Sequence, residues 1–254
     1  MSLIKRSLRS VKTRCFINKL ILERSLLETD NEEFKNGEER FTQLQGLVQN
    51  TISGYKSLFT QKELKLLGKG YKEWNEVEKA ESAKRWESMC ALYSSLGLVK
   101  PQPLDKKLNL KEVLLVYNRL PAKDSVDAHI DCFDGKLMDE SNFKIQVLQS
   151  NIRAQLHEVY TALNNSKNDP RYNKAVQENR QMIAGLVDFA KSNNLLAASN
   201  IVDNDIVIDG EKYEDINQEK FGQLYNAAEY RLSAYNWICG NDWDFDEFVP
   251  FITL

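Results

Sequence analysis

Histidine is scarce in this chain: His129 and His157 are the whole supply in 254 residues. A Ser-His-Asp triad or a histidine-rich metal site has almost nothing to draw on. Cysteine is as thin. Cys15, Cys90, Cys132 and Cys239 lie far apart and form no CxxC pair, which excludes a zinc ribbon and a thioredoxin-type motif. They read as buried free thiols of a reducing compartment. Eleven glycines and five prolines leave the backbone few obligatory breaks, which favours helices. No apolar run approaches the ~18 residues of a membrane-spanning helix. The formal net charge is only −3, so nothing global draws the chain to nucleic acid or an anionic membrane. Gly68-Lys69-Gly70-Tyr71 lacks the preceding strand and first glycine of a phosphate loop. The expectation is a cytoplasmic protein with no cofactor, no metal, no nucleic acid and no membrane partner.

What is present is helical periodicity. Leu8, Val11, Cys15, Leu22 and Leu26 space out one amphipathic helix over residues 3–28. Its basic, serine-containing start has the composition of a transit peptide, but no small-residue cleavage site follows and the pattern runs on into ERSLLE. Its lysines and arginines are expected on a solvated face, with a docking surface as the alternative. Phe41, Leu44, Leu47 and Val48 mark a second helix. Thr60 and Glu63 form a capping box that opens a short helix ending at Gly68. Asn75 and Glu78 open a longer one, whose face of Trp86, Met89, Cys90, Tyr93 and Leu96 is stopped by Gly97. Further helices are expected from Asn109 to Pro121, over 139–165, from Asp169-Pro170 to about Lys191, and over 217–239. Residues 121–140 are expected as a loop. Around Asp209-Gly210 the apolar residues alternate, so a small hairpin is expected near residues 201–214. With no repeat and no composition shift, residues 1–254 read as a mainly α, single-domain, multi-helix array.

Three segments, in order, resemble the bacterial family called domain of unknown function 4272. They are SLFTQKELKLL; AKRWESMCALYSSLGLVKPQPLDK, with Trp86, Glu87, Leu96, Gly97, Leu98, Pro101 and Pro103; and YRLSAYNWICGNDWDFDEF, with Arg231, Ala234, Tyr235, Asn236, Trp237, Asp242, Trp243 and Asp244. The chain departs from the family's Tyr-Arg-x-His-Trp-like run, since the stretch around His157 is RAQLHEVY, and NDPRYNKAVQENRQMIAGLVDFAKSNN is longer than usual. The resemblance implies a largely helical domain and no particular reaction.

The closing stretch NWICGNDWDFDEF concentrates tryptophans and carboxylates. Asp242, Asp244 and Asp246 alternate like a calcium loop, but Glu247 and Thr253 stand where such a loop needs glycine and glutamate. The expected arrangement is a structural clasp. Arg231 pairs with Asp242, Asp244 or Glu87, because a buried guanidinium requires a counter-charge. Trp86, Trp237 and Trp243 seal the contact, with Gly97 and Gly240 as turns. The same Arg231, Asn236, Asp242, Asp244 and Glu87 form the candidate ligand-binding set. His157 reads as a satisfied surface or core residue, and His129, between Asp127 and Asp131, as an adventitious metal ligand at most. Two function classes follow: a non-catalytic protein-interaction domain, accessory or immunity-like, or a small-molecule-binding domain or hydrolase built on the Arg/Asp/Glu cluster.

Overall fold

The structure is a computed structural model. It describes residues 4–29, 36–101, 109–120, 125–166, 169–196, 200–203, 205–208 and 210–240. Helices dominate: α1 (Leu8–Glu28), α2 (Gly37–Tyr55), α3 (Gln61–Leu67), α4 (Glu76–Ala83), α5 (Arg85–Ser95), α6 (Leu110–Arg119), α7 (Val126–Asp131), α8 (Glu140–Ser166), α9 (Asn173–Ser192) and α10 (Gln218–Ile238). Between α9 and α10 lie three short strands, β1 (Ile201–Val202), β2 (Asp205–Ile208) and β3 (Glu211–Lys212). The mainly α architecture with a small antiparallel sheet is the expected one. The described residues gather into two compact units. The first draws on Met1–Lys100, Asn109–Asp139 and Ser233–Glu247, and the second on Glu140–Leu232.

In the first unit α1 is the central element. Val11, Cys15, Phe16, Ile17, Leu20, Ile21 and Leu22 are buried, and so are Arg14, Asn18, Lys19, Arg24 and Glu28. Phe16, Ile17, Leu20 and Ile21 share a core with Leu44, Val48, Leu66, Leu67, Trp74, Val126 and Ile130. A helix buried over most of its surface cannot show one apolar stripe; of the basic residues expected on a solvated face, Arg14, Lys19 and Arg24 are buried, while Arg9 near its start is exposed. The capping boxes of α3 and α4 are both formed, Thr60 with Glu63 and Asn75 with Glu78. The long helix expected after Asn75 is two helices, because the chain closes a tight turn at Lys84, whose N–H donates to Glu81 O at 3.2 Å. At Gly97, φ is +68°. Leu98 N–H donates to Tyr93 O and Gly97 N–H to Ser94 O, both at 2.9 Å, which is the Schellman ending that requires a left-handed residue. The loop expected over 121–140 contains α7. Its Ser125 hydroxyl accepts from Ala128 N, and Val126, His129 and Ile130 are buried. One turn is too short to leave a readable period.

In the second unit α8 packs along α9. Ile152, Leu156, Val159, Tyr160 and Leu163 of α8 meet Ile183, Val187 and Ala190 of α9, with Ile206, Ile208, Tyr213 and Ile216 joining the same core. The sheet order is β1-β2-β3, both pairs antiparallel, with Val202 opposite Asp205 and Ile208 opposite Glu211. The Asp-Gly signal thus marked one hairpin of two. In the other, Asp203 at φ +54° supplies the left-handed backbone. Asn217 caps α10, accepting from Lys220 N at 2.9 Å.

Candidate functional site

Asp242, Trp243 and Asp244 lie outside the described residues, and with them the alternating-carboxylate idea and half of the expected clasp. The remaining members of the candidate set are distributed. Glu87 is half-buried on α5, next to Trp86, whose ring meets Tyr117 of α6 with centroids 4.9 Å apart. Arg231, 5% exposed on α10, belongs to the second unit, whereas Glu87, Asn236 and Trp237 belong to the first. What stands against Trp237 is Arg6. Its Nε donates to Trp237 O at 3.1 Å, and its guanidinium lies 5.1 Å from the indole centroid. The N–H groups of Lys5 and Arg6 donate to Ile238 O at 3.1 and 3.2 Å. Two carbonyls at the C-terminal end of α10 are thereby satisfied by a cation-bearing segment, which suits the negative end of a helix.

The charges of α1 are used internally. Both terminal nitrogens of Arg14 donate to Glu63, and Nη1 also reaches Leu58 O at 2.7 Å. Arg85 Nη1 donates to Glu63 Oε1 at 2.6 Å and to Asn18 Oδ1 at 3.3 Å. The Glu63 carboxylate also accepts from Thr60 N at 3.0 Å, so the α3 capping box and the buried ion cluster are one object. Arg24 pairs with Glu28 and donates to the carbonyls of Lys69 and Gly70. Glu28 accepts from Lys72 N at 3.0 Å and Trp74 N at 3.1 Å, fixing a turn in which Lys72 sits at φ +59°. Lys19 donates to Tyr117 O at 3.0 Å, and burial lowers its pKa to about 8. These are structural networks: each charge is buried with geometry that answers it. His129 is not a loop ligand. It is buried on α7 between Phe16 at 4.6 Å and Phe133 at 4.9 Å, and no group of metal-ligating side chains occurs among the described residues.

The second unit holds the open site. Along α8, His157, Thr161, Asn164 and Asn165 follow one another at i, i+4, i+7 and i+8, and so share a face. Opposite them the turn Tyr213–Asp215 and the start of α10 bring Glu214, Asp215 and Gln218 over a floor of Ile216, Phe221 and Gly222. The groove between has a volume of about 860 Å³. His157 is 8% exposed and lies between Phe221 and Tyr225, each ring centroid 4.0 Å away. Its Nδ1 is enclosed and meets no hydrogen-bond partner. Burial lowers its pKa to about 4, so the imidazole is neutral at pH 7.

The carboxylate-bearing turn is held from beneath. Asp205 is buried; it accepts from the Tyr160 hydroxyl, from Ile206 N at 2.7 Å and from Glu214 N at 3.1 Å. Burial raises its pKa, although the two backbone bonds oppose this. Arg180 of α9 pairs with Glu214 at 2.8 Å. Glu214 thus sits between this network and the groove, and its charge is already balanced. Sequence reasoning read His157 as a satisfied residue, which its unmatched Nδ1 corrects, and passed over the other groove residues because it followed the apolar stripe of α8. The polar face at the same spacing, on the other side, was the available signal.

Set against protein-family models, curated proteins and solved structures, the chain matches none. Among the described residues no helix is long and apolar enough to cross a membrane.

Proposed function

We propose that this chain is a binding domain whose recognition site is the groove of the second unit. The observation that carries this is His157: an almost fully buried imidazole with an unmatched ring nitrogen, held between two aromatic rings on the wall of an open groove. An unmatched buried polar atom costs stability and calls for a reason. A groove of about 860 Å³ is within the range of small-ligand sites. Binding is favoured over turnover because the imidazole is held by stacking, whereas a general base is oriented by a hydrogen-bonded carboxylate or carbonyl. The kinship with domain of unknown function 4272 and a cytoplasmic location remain part of this proposal, resting on the three sequence segments and the composition.

The test is a ligand-detected NMR screen of small polar compounds against the wild type and Gly222→Phe. Gly222 lies on the groove floor, and a Cβ added there meets no atom within 4 Å. A larger side chain therefore starts from open space at the groove floor, and thermal melts of the variant check that the fold is kept. At least one compound should bind the wild type and not the variant. Absence of any such compound overturns the proposal.

A second reading, an accessory or immunity-like protein-interaction domain, is favoured by α9. Met182 and Phe189 are 54% and 45% exposed, with Gly185 midway between them on the same face. Two such stripes crossing antiparallel at Gly185 would set Met182 against Phe189 twice, as a two-fold contact requires. Sedimentation of wild type and Phe189→Glu tests this. Self-association abolished by the substitution supports it, and a monomer at all concentrations removes the two-fold contact on α9.

A further inference from the structure

We propose that the ligand of this groove is a neutral polyhydroxyl compound, of the size of one or two sugar units; this rests on the binding reading above. The lining decides the class. Asn164, Asn165 and Gln218 carry amides that both donate and accept, while Asp215 and Glu214 carry carboxylates that only accept. No lysine or arginine is among the described residues that line the groove. Among the described lining residues an anion would meet two carboxylates and no cation, so phosphates and carboxylic acids are disfavoured.

An organic cation fares little better. The charge of Glu214 is taken by Arg180, at 2.8 Å, and the other lining carboxylate, Asp215, is within electrostatic reach of Lys212. Asp215 is exposed, and a single exposed carboxylate is screened and weak as a cation site. Hydroxyl groups suit this lining because each donates one hydrogen and accepts on the same oxygen. They answer amides and carboxylates together without carrying charge into the groove.

The remaining features fit the same ligand. Ile216 and Phe221 give the floor an apolar part, against which the C–H face of a sugar ring rests while its hydroxyls reach the polar rim. His157 stays neutral, and with Nδ1 enclosed the Nε2 edge of the ring is the one left for the ligand. A neutral imidazole presents either a donor or a lone pair there, and a hydroxyl answers both. The turn that carries Asp215 is fixed by Asp205 and the sheet, so the rim is set before the ligand arrives. Preorganisation of this kind lowers the cost of binding.

The experiment is saturation-transfer NMR and calorimetry with three probe classes: neutral mono- and disaccharides, a short aliphatic diamine, and a short dicarboxylate. The proteins are the full chain as wild type, Gly222→Phe and Asn165→Ala, with thermal melts of each. The expected result is saccharide binding to the wild type, weakened about tenfold or more in Gly222→Phe and measurably in Asn165→Ala. Melting of both variants should stay near or above that of the wild type. Diamine or dicarboxylate binding that Gly222→Phe abolishes, without saccharide binding, overturns the polyhydroxyl class and leaves the binding reading standing. Saccharide binding that is equal in all three proteins places the ligand elsewhere and overturns the site. No binding by any probe overturns the polyhydroxyl class, and the wider screen of polar compounds then decides the binding reading by itself.

Discussion

Protonating His157 would place a charge between Phe221 and Tyr225, where little of the ring reaches water. Its folded pKa, about 4, is below the ordinary 6.5. Between these values the unfolded chain binds the proton and the folded one resists it, so this residue's contribution is full above pH 6.5 and is lost as pH falls toward 4. The loss expected is on the order of 2 kcal/mol once solvent at the groove rim is allowed for. Urea melts at about pH 7 and pH 4.5 will show it, and His157→Leu should make the chain's stability less steep over that range. Glu63 gives a sharper effect. Its carboxylate takes three guanidinium donors, from Arg14 and Arg85. Glu63→Gln removes the counter-charge from two buried cations and should cost about 3–5 kcal/mol, read from the same melts. None of this cluster was legible in the sequence, because Arg14 and Glu63 lie 49 positions apart and Arg85 a further 22 beyond Glu63. The need of a buried arginine for a carboxylate was argued from the sequence for Arg231, in an aromatic-rich segment. The same need at Arg14 was not seen, because it lies inside a helix that looked amphipathic.

At the scale of elements, the ends were more legible than the middles. The Thr60 and Asn75 capping boxes, the Gly97 stop and the hairpin turn at Gly210 depend on a few adjacent residues, and local chemistry decides them. The joint at Lys84 and the single turn of α7 are set by neighbours distant in sequence, such as Glu63 for Arg85 and Phe16 for His129. The groove divides the same way. Its α8 face has a readable period, whereas the turn opposite is placed by Asp205 and Tyr160, 45 positions apart. Two glycines test the local rule with opposite signs. Gly97 at φ +68° ends α5, and Gly97→Ala should destabilise by about 1 kcal/mol. Gly185 sits within α9, where a Cβ meets no atom within 4 Å, and Gly185→Ala should stabilise by about 0.5–1 kcal/mol. Paired thermal melts measure both.

Over the whole molecule, the modest net charge of −3 conceals how much ionic chemistry is internal. Composition reports the sum and not the placement. The alkaline response follows from buried acids. Burial raises the pKa of Cys15, Tyr93, Tyr117 and Tyr213, and that of Cys239 to about 11. Above about pH 9 the unfolded chain releases these protons while the folded chain keeps them, so stability falls as pH rises. Lys19 acts in the opposite sense, since its folded pKa of about 8 lies below the ordinary 10.5. Lys19 prevails just above pH 8, but one lysine against five acids leaves a net loss at higher pH, and denaturant midpoints should decrease between about pH 9 and 10.5. The link from Arg6 to Trp237 spans 231 positions. At a synthesis rate of about 5–20 residues per second, the segment that closes α10 waits on the order of 10–50 s for the helix it caps. For the early part of that interval α1, whose Phe16, Ile17, Leu20 and Ile21 belong in the core, stands without the neighbours in α2 to α7 that cover it. The nascent chain is therefore a natural client for chaperones at the ribosome exit, and slow translation would lengthen its exposure.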